Sequence, residues 1–289
     1  MKASTGVSLP APGSQFEIFI EAIDDEGRGR GFHPNFKNAA VDVAVRGAFP
    51  GDHALVMVEK VYAKRLLLIA RALKILKRGD CSAPSQCCHS FPCVGCPFAI
   101  ANIPFALEFK KARVRQAFDS ANIATEVEDV KADSTHRAYR QKIKLMIEVH
   151  KKNVRLGLYR PGSHQLQSAT QCASHLPALN DTALLIQKEL TALLQQKLIK
   201  EIQIPIAVFL RAGVNGVGGV FVCDDMPSKA LELWLEQLVR NKVIIGFGLR
   251  LRTQKSNNIV EGHIVKSFGH LWVAPFEGGP SVHVDTFCQ

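Results

Sequence analysis

Apolar and polar residues alternate with a period of two at Phe16, Ile18 and Ile20, at Val41, Val43 and Val45, and over Leu55 to Val58. That period marks half-buried strands. The runs are separated by Glu26-Gly27-Arg28-Gly29-Arg30-Gly31 and by Pro50-Gly51, both turn-forming sequences. Short strands punctuated by Gly and Pro predict a small β-barrel of the oligonucleotide-binding kind over 16–78. Arg28, Arg30, Arg46 and Lys60 are candidates for its nucleic-acid face. Each could equally be an ordinary solvated turn residue.

Further along, the pattern changes. Gly79 to Pro97 is a loop dense in Cys, Pro and Ser. From Ile103 to Phe118 the apolar positions (Phe105, Phe109, Ala112, Phe118) fall at helical spacing, with Lys110, Lys111, Arg113 and Arg115 between them. Lys142 to Val149 alternates again, Ile143, Leu145, Ile147 and Val149 inward and Lys142, Lys144 and Glu148 outward. His150-Lys151-Lys152-Asn153 would turn the chain into a second strand, Arg155 to Arg160, making a hairpin with a basic outer face. A helix is expected over Asp181 to Lys200, with Leu184, Leu185, Leu190, Leu194 and Leu198 apolar and Asn180 or Asp181 as its cap. Strands at Ile202 to Leu210 and Val217 to Cys223, a helix from Pro227 to Arg240, and strands near Val243 to Thr253 and Ile259 to Lys266 complete the series. Gly213 to Gly219 is glycine-rich but leads into strand-like Val220-Phe221-Val222, so it reads as a hairpin turn and not as a phosphate loop, which needs a following helix. Mixed strands, helices and antiparallel hairpins give an α+β class.

Composition narrows the function classes. Hydrophobic residues are 47% and charged residues 21% of 289, which excludes a disordered chain and allows two or three compact units. The longest apolar runs, such as Leu66 to Ala70 and Ile204 to Leu210, are too short to cross a bilayer. Residues 1–15 carry one Lys and no apolar core, so they read as a flexible tail and not as a secretion signal. A cytoplasmic monomer without membrane partners is the expectation. The net charge is +10, and the excess is clustered: seven Lys or Arg and no acid from Lys60 to Arg78, and nine against Asp133 and Glu148 from Lys131 to Arg160. Clustered cations suit a phosphate backbone, because each contact releases condensed counterions. Plain solubility is the simpler alternative.

Five of the eight cysteines lie between Cys81 and Cys96, too crowded for packing alone. Cys87-x5-Cys93-x2-Cys96 lets one loop present three thiolates, and Cys172, in a polar loop past the basic hairpin, is the candidate fourth ligand. Soft thiolates suit zinc or an iron–sulfur cluster, and spacing does not choose between them. Cys81, Cys88, Cys223 and Cys288 read as spare or core residues.

These residues resemble the RumA/TrmA-type RNA (uracil-5-)-methyltransferase family. Its members begin with a TRAM barrel, which Ile20 to Val58 resembles in its Asp-Glu-Gly-Arg-Gly and Phe-Pro-Gly-Asp turns. The family loop Cys-x5-Cys-Gly-Gly-Cys corresponds to Cys87 through Cys96, departing at Val94 where Gly is usual. Tyr139-Arg140-Gln141-Lys142 and Gly157-Leu158-Tyr159-Arg160-Pro161-Gly162-Ser163-His164, running on to Cys172, match two further stretches. The resemblance implies a 4Fe-4S cluster on Cys87, Cys93, Cys96 and Cys172, and a SAM-dependent enzyme that methylates uridine C5 in RNA through a cysteine adduct at C6. It also implies that 79–289 is a cluster loop and central RNA-binding domain leading toward a SAM domain. Members carry an Asp-Leu-Phe-Cys-Gly-x-Gly loop and a nucleophilic Cys in a Cys-Asn-Pro context, and the 289 residues contain neither. Cys288 has the wrong neighbours for that nucleophile, and Gln289 is a weak counterpart of a cofactor-side residue.

The leading expectation is therefore the RNA-recognition and cluster-bearing front of such an enzyme, binding structured, ribosomal-type RNA without catalysis of its own. A stand-alone iron–sulfur RNA-binding protein is the rival, and a zinc-stabilised interaction module a third reading. Arg137, Tyr139, Arg140, Lys142, Lys144 and Arg160 are the expected RNA contacts, the ring for stacking on a base and the cations for phosphates. For Tyr139 the rival assignment is a core aromatic.

Overall fold

The computed structural model describes residues 8–35, 41–84, 87, 95–132, 137–160, 163–252 and 262–284. The chain divides into two compact units, 1–134 and 135–289.

The first unit holds strands β1 (Gln15–Phe19), β2 (Ala22–Ile23), β3 (Gly29–Phe32), β4 (Asp42–Arg46), β5 (His53–Tyr62) and β6 (Leu67–Lys77), then helix α1 (Ile103–Ser120). They form one sheet in the order β1-β5-β6-β4-β3-β2, with β4 parallel to β6 and the other pairs antiparallel. The alternation read from the sequence is what closes the core: Ile18, Val43, Val45, Val56, Val58, Leu68 and Ala70 turn to one side and are buried together. Each large aliphatic side chain so buried contributes roughly 1.5–3 kcal/mol. Strand β1 also approaches β3, because Gly31 has no side chain. A Cβ there would stand 2.3 Å from the Phe19 carbonyl oxygen. Helix α1 starts where Asn102 Oδ1 accepts the Phe105 N–H at 2.8 Å. It buries no residue fully, and it is held to this unit by aromatic contacts, Phe105 with Phe49 and Phe109 with Phe98, and by the Arg113–Asp25 ion pair at 2.9 Å.

The second unit is built on β7 (Lys142–His150), β8 (Asn153–Tyr159), β9 (Leu166–Ser168), α2 (Pro177–Gln195), β10 (Ala207–Gly213), β11 (Gly216–Cys223), α3 (Lys229–Arg240), β12 (Gly246–Leu251), β13 (His263–Gly269), β14 (Trp272–Val273) and β15 (Val282–His283). Seven strands pair in the order β13-β12-β11-β10-β7-β8-β9, while β14 and β15 form a separate ribbon. Only β11 and β12 run parallel, as the intervening α3 requires. Both long helices lie on one face, where Leu179, Ile186, Leu190, Leu231 and Leu235 pack with Leu145, Leu156, Leu210, Phe221 and Phe247. On the other face Val220 packs with Val273 and Val284. The class is α+β with sheets of mixed orientation.

Several expected boundaries move. Helix α2 begins four residues before Asp181, at Pro177, whose missing N–H costs nothing in a first turn. Its buried stripe is Leu179, Thr182, Ala183, Ile186, Leu190 and Leu194, so Leu184 faces outward, and Leu198 lies beyond the helix and exposed. Neither Asn180 nor Asp181 caps it. The strand expected from Ile202 begins only at Ala207, with a short 3-10 turn over Glu201–Gln203 ahead of it. Residues 253–261, in the last expected strands, lie outside the described residues. Gly213 to Gly219 is indeed a hairpin, turning at Val214-Asn215. No described helix is long and apolar enough to cross a membrane.

Candidate functional site

The cysteine loop is closed at its base by backbone pairing. Ala83 N–H donates to Ile100 O at 2.6 Å, and Asn102 N–H to Cys81 O at 2.9 Å, with a bridge between Ser82 and Ala101. Asp52, fully buried, ties this base to the sheet. Its carboxylate accepts the Phe49 N–H (2.9 Å), the Gly79 N–H (2.9 Å) and the Ser82 hydroxyl (2.6 Å). Gly79 is obligatory there, because a Cβ would lie 2.4 Å from the Gly51 carbonyl carbon. Phe98, two residues past Cys96, stacks on Phe49 and covers Gly27 of the Gly/Arg turn. Cys87 and Cys96 are half-buried, and Cys93 and Cys88 lie outside the described residues. Burial pushes the Cys81 thiol up, with Asp52 and Asp80 adding to the effect. It is a closed-loop neighbour with a suppressed thiolate.

In the second unit Cys172 sits in a loop fixed from two sides. Asn180 Oδ1 accepts the Cys172 N–H at 3.2 Å while its Nδ2 donates to Cys172 O at 3.0 Å, and the same Oδ1 lies 3.1 Å from His175 Nδ1. Two hydrogen bonds from one amide fix the main chain of Cys172 and leave its thiol half-exposed and free. On the other side the segment before β7 zips to this loop: Ala138 N–H to Ala173 O (2.9 Å), Arg140 N–H to Ser174 O (2.8 Å), Leu176 N–H to Arg140 O (3.1 Å). Burial holds His175 below its usual range, opposed by Asn180 and assisted by the nearby Arg140 guanidinium. His175 and Asn180 were not legible as site residues in the sequence. The Cys172 thiol on its pinned backbone is the donor chemistry a thiolate-held cluster needs. Among the described residues, no three His, Cys, Asp or Glu side chains gather as a cation site.

The basic residues of this unit follow from the same loop. Tyr139 is 56% exposed, so it is no core aromatic. Lys142 and Lys144 are exposed on the β7 face opposite α2 and α3. By register Lys142 faces Arg211 directly across the ladder, and Lys144 faces Phe209. Tyr139, Arg140, Gln141, Lys142, Arg211 and Pro275 line a cleft of about 360 Å³. Arg211, absent from the sequence reading, is brought in by register alone. Arg160 follows β8, with its backbone held by Gln165 O at 3.0 Å, and does not line the cleft. Arg137 is exposed just ahead of Tyr139.

Three of the four cations expected on the first sheet are engaged by acids. Arg28 pairs with Asp24 and Glu26, Arg30 with Asp42, and Arg46 with Glu59. Lys60 lies over the Tyr62 ring, 5.0 Å from its centroid. Gln289 and Cys288 lie outside the described residues.

No model of a known protein family matches the chain. It is 27% identical over 172 residues to an uncharacterised RNA methyltransferase of Geobacter sulfurreducens, covering 58% of this chain and 33% of that protein. It is 26% identical over 166 residues to the 23S rRNA (uracil(1939)-C(5))-methyltransferase of Vibrio parahaemolyticus, covering 56% and 36% respectively. The chain thus spans about a third of the length of these curated relatives. The crystal structure of the Pyrococcus abyssi tRNA (uracil-54, C5)-methyltransferase in complex with S-adenosyl-L-homocysteine superimposes with a TM-score of 0.60 at 15% identity, over 94% of this chain and 62% of that one. The chain therefore has the fold of part of a solved RNA methyltransferase, and its curated relatives bear the names of RNA methyltransferases.

Proposed function

We propose that this chain is the RNA-recognition and 4Fe-4S-bearing part of a SAM-dependent RNA uracil-C5 methyltransferase of ribosomal-RNA type. One observation carries the reading: the Cys172 loop and the basic segment Tyr139–Arg140 are a single hydrogen-bonded piece, so the element that would hold the cluster also presents the RNA contacts. Cys87, Cys93, Cys96 and Cys172 are the ligands in this reading. The cluster, when bound, would organise the RNA-binding part and would take no electron in the reaction. Arg137, Tyr139, Arg140, Lys142, Lys144 and Arg160 hold the RNA, and a TRAM-type barrel over 16–78 is supported by the approach of β1 to β3 at Gly31. The protein acts as a monomer, and SAM chemistry belongs to segments with the loop and Cys-Asn-Pro motifs that these 289 residues lack.

The test is a salt titration of RNA binding on anaerobically purified protein. Replacing Arg140 and Lys144 by Ala should flatten the slope of log K against log salt by about 0.7–0.9 per lost phosphate contact. Iron and sulfide should co-purify, and Cys93→Ser should abolish both. An unchanged slope, or zinc in place of iron, would count against the reading, as would 5-methyluridine made by this chain alone.

A further inference from the structure

Three large aromatic rings remain exposed on tightly fastened backbone: Tyr139 in the cleft wall, and Trp272 and Phe276 on the segment that supplies the wall residue Pro275. Tyr139 is 56%, Trp272 55% and Phe276 59% exposed. The 272–276 segment is held by backbone and amide bonds: Val214 N–H donates to Ala274 O (2.8 Å), Asn215 bridges Trp272 O (3.1 Å) and Ala274 N–H (2.9 Å), and Gln141 Nε2 donates to Pro275 O (3.1 Å). Gly213 permits this approach, since a Cβ would meet Ala274 O at 2.1 Å. Phe276 lays its ring against Gly279, where a Cβ would stand 2.2 Å from it, and stays more than half exposed. Trp272 meets His283 in a T-shaped contact at 5.1 Å, with more than half of its surface still open to solvent. A single exposed aromatic needs no explanation. Tyr139 in a cleft walled by Arg140, Lys142 and Arg211, with two more exposed rings on the segment that carries Pro275 of the same wall, combines π-faces with cations. That pairing fits unpaired nucleotides, whose bases can stack while their phosphates meet the cations. A duplex keeps its bases stacked on one another and could use only the cations.

We infer that Trp272 and Phe276 of the C-terminal ribbon, together with Tyr139, form a stacking platform for an unpaired stretch of RNA, its phosphates held by Lys142 and Arg211. This deepens, and rests on, the RNA-recognition reading above. It adds two residues outside the basic hairpin and commits the ligand to single-stranded or splayed-out RNA. The chain has two tryptophans, and Trp234 is only 7% exposed, so iodide-quenchable emission reports on Trp272.

The experiment uses the 289-residue chain with a 12-nucleotide oligouridine and with an RNA duplex of equal length. Oligouridine should shield Trp272 from iodide, and the duplex should not. Trp272→Leu and Phe276→Ala should each weaken oligouridine binding by roughly 5- to 150-fold, the range for loss of one base–aromatic stack. Both should leave the salt slope and the duplex affinity in place. Equal binding of oligouridine by these variants and wild type, while Lys142→Ala weakens both RNAs, overturns the platform and leaves the RNA-recognition reading standing. Failure of wild type to bind either RNA overturns both. Shielding of Trp272 that grows with protein concentration in the absence of RNA would make this face a self-association surface and overturn the platform. The fluorescence arm needs no variant, so a substitution that disturbs folding does not remove the test.

Discussion

Asp52 is the residue on which the cysteine loop most depends, and its loss can be given a magnitude. Its carboxylate is fully buried and accepts three hydrogen bonds, two from backbone N–H groups and one from the Ser82 hydroxyl. In Asp52→Ala the hydroxyl can rotate to another acceptor. The Phe49 and Gly79 amides cannot, and each buried orphan donor costs about 1–3 kcal/mol. The expected loss is therefore about 2–6 kcal/mol, a large part of the roughly 5–15 kcal/mol that holds a domain folded. Asp52→Asn should cost roughly half as much, because the amide keeps one acceptor oxygen and turns a donor toward one of the N–H groups. Ser82→Ala should cost about 1 kcal/mol. The assay is native-state hydrogen exchange followed on peptides spanning 81–83 and 100–102, with thermal unfolding of the whole chain alongside. Exchange at Ala83 and Asn102, donors of the loop's closing bonds, should accelerate in the order Ser82→Ala, Asp52→Asn, Asp52→Ala. Protection within twofold of wild type in Asp52→Ala would refute the reasoning, since it would mean the loop base closes without the carboxylate.

Four further outcomes are expected. Asn180→Ala should release iron to a chelator about 10- to 100-fold faster than wild type, the usual effect of losing an outer partner of a metal ligand, and identical release rates would argue that the clamp on Cys172 is idle. The β7–β8 turn holds Lys151 and Lys152 at φ 50° and 60°, a left-handed pair better suited to Asn-Gly, so Lys151→Asn with Lys152→Gly should raise stability by about 1–2 kcal/mol in denaturant titration; a loss would show the lysines make compensating contacts. Burial lowers the His33 pKa below its usual 6.5. The unfolded chain then binds the proton first on acidification, so the stability His33 contributes is complete above pH 6.5 and lost as pH falls through its lowered folded value. His33→Gln should flatten that acid loss in melting curves, and parallel curves for the two proteins would refute it. Burial, with Asp224 adding to it, pushes the Cys223 thiol up to about 12, so mass spectrometry after native alkylation at neutral pH should find Cys223 unlabelled and Cys172 labelled in iron-free protein.

The α+β class was legible from local pattern, because alternation at Ile143, Leu145 and Ile147 reports a half-buried strand wherever it occurs. The same holds for α3, whose start at Ser228 and buried Leu231, Trp234, Leu235 and Leu238 are short-range features. The first turn of α2 was misread for a physical reason. Asn180 has the chemistry of a cap, but its amide reaches Cys172, eight residues away, a partner that only the folded loop provides. Leu184 and Leu198 are apolar by type and exposed by placement, which composition does not distinguish.

By itself the sequence determined the cysteine spacing, the clustered charge and the order of elements, all of which depend on residues near one another in the chain. Tertiary structure decided which of these meet. Register set Arg211 opposite Lys142, the Asp52 carboxylate joined a turn to a loop nearly thirty residues on, and the Gln141–Pro275 bond brought a segment more than a hundred residues away into the wall of the Tyr139 cleft. Contacts of that separation depend on backbone pairing and burial over the whole unit, and no local pattern of residue types encodes them.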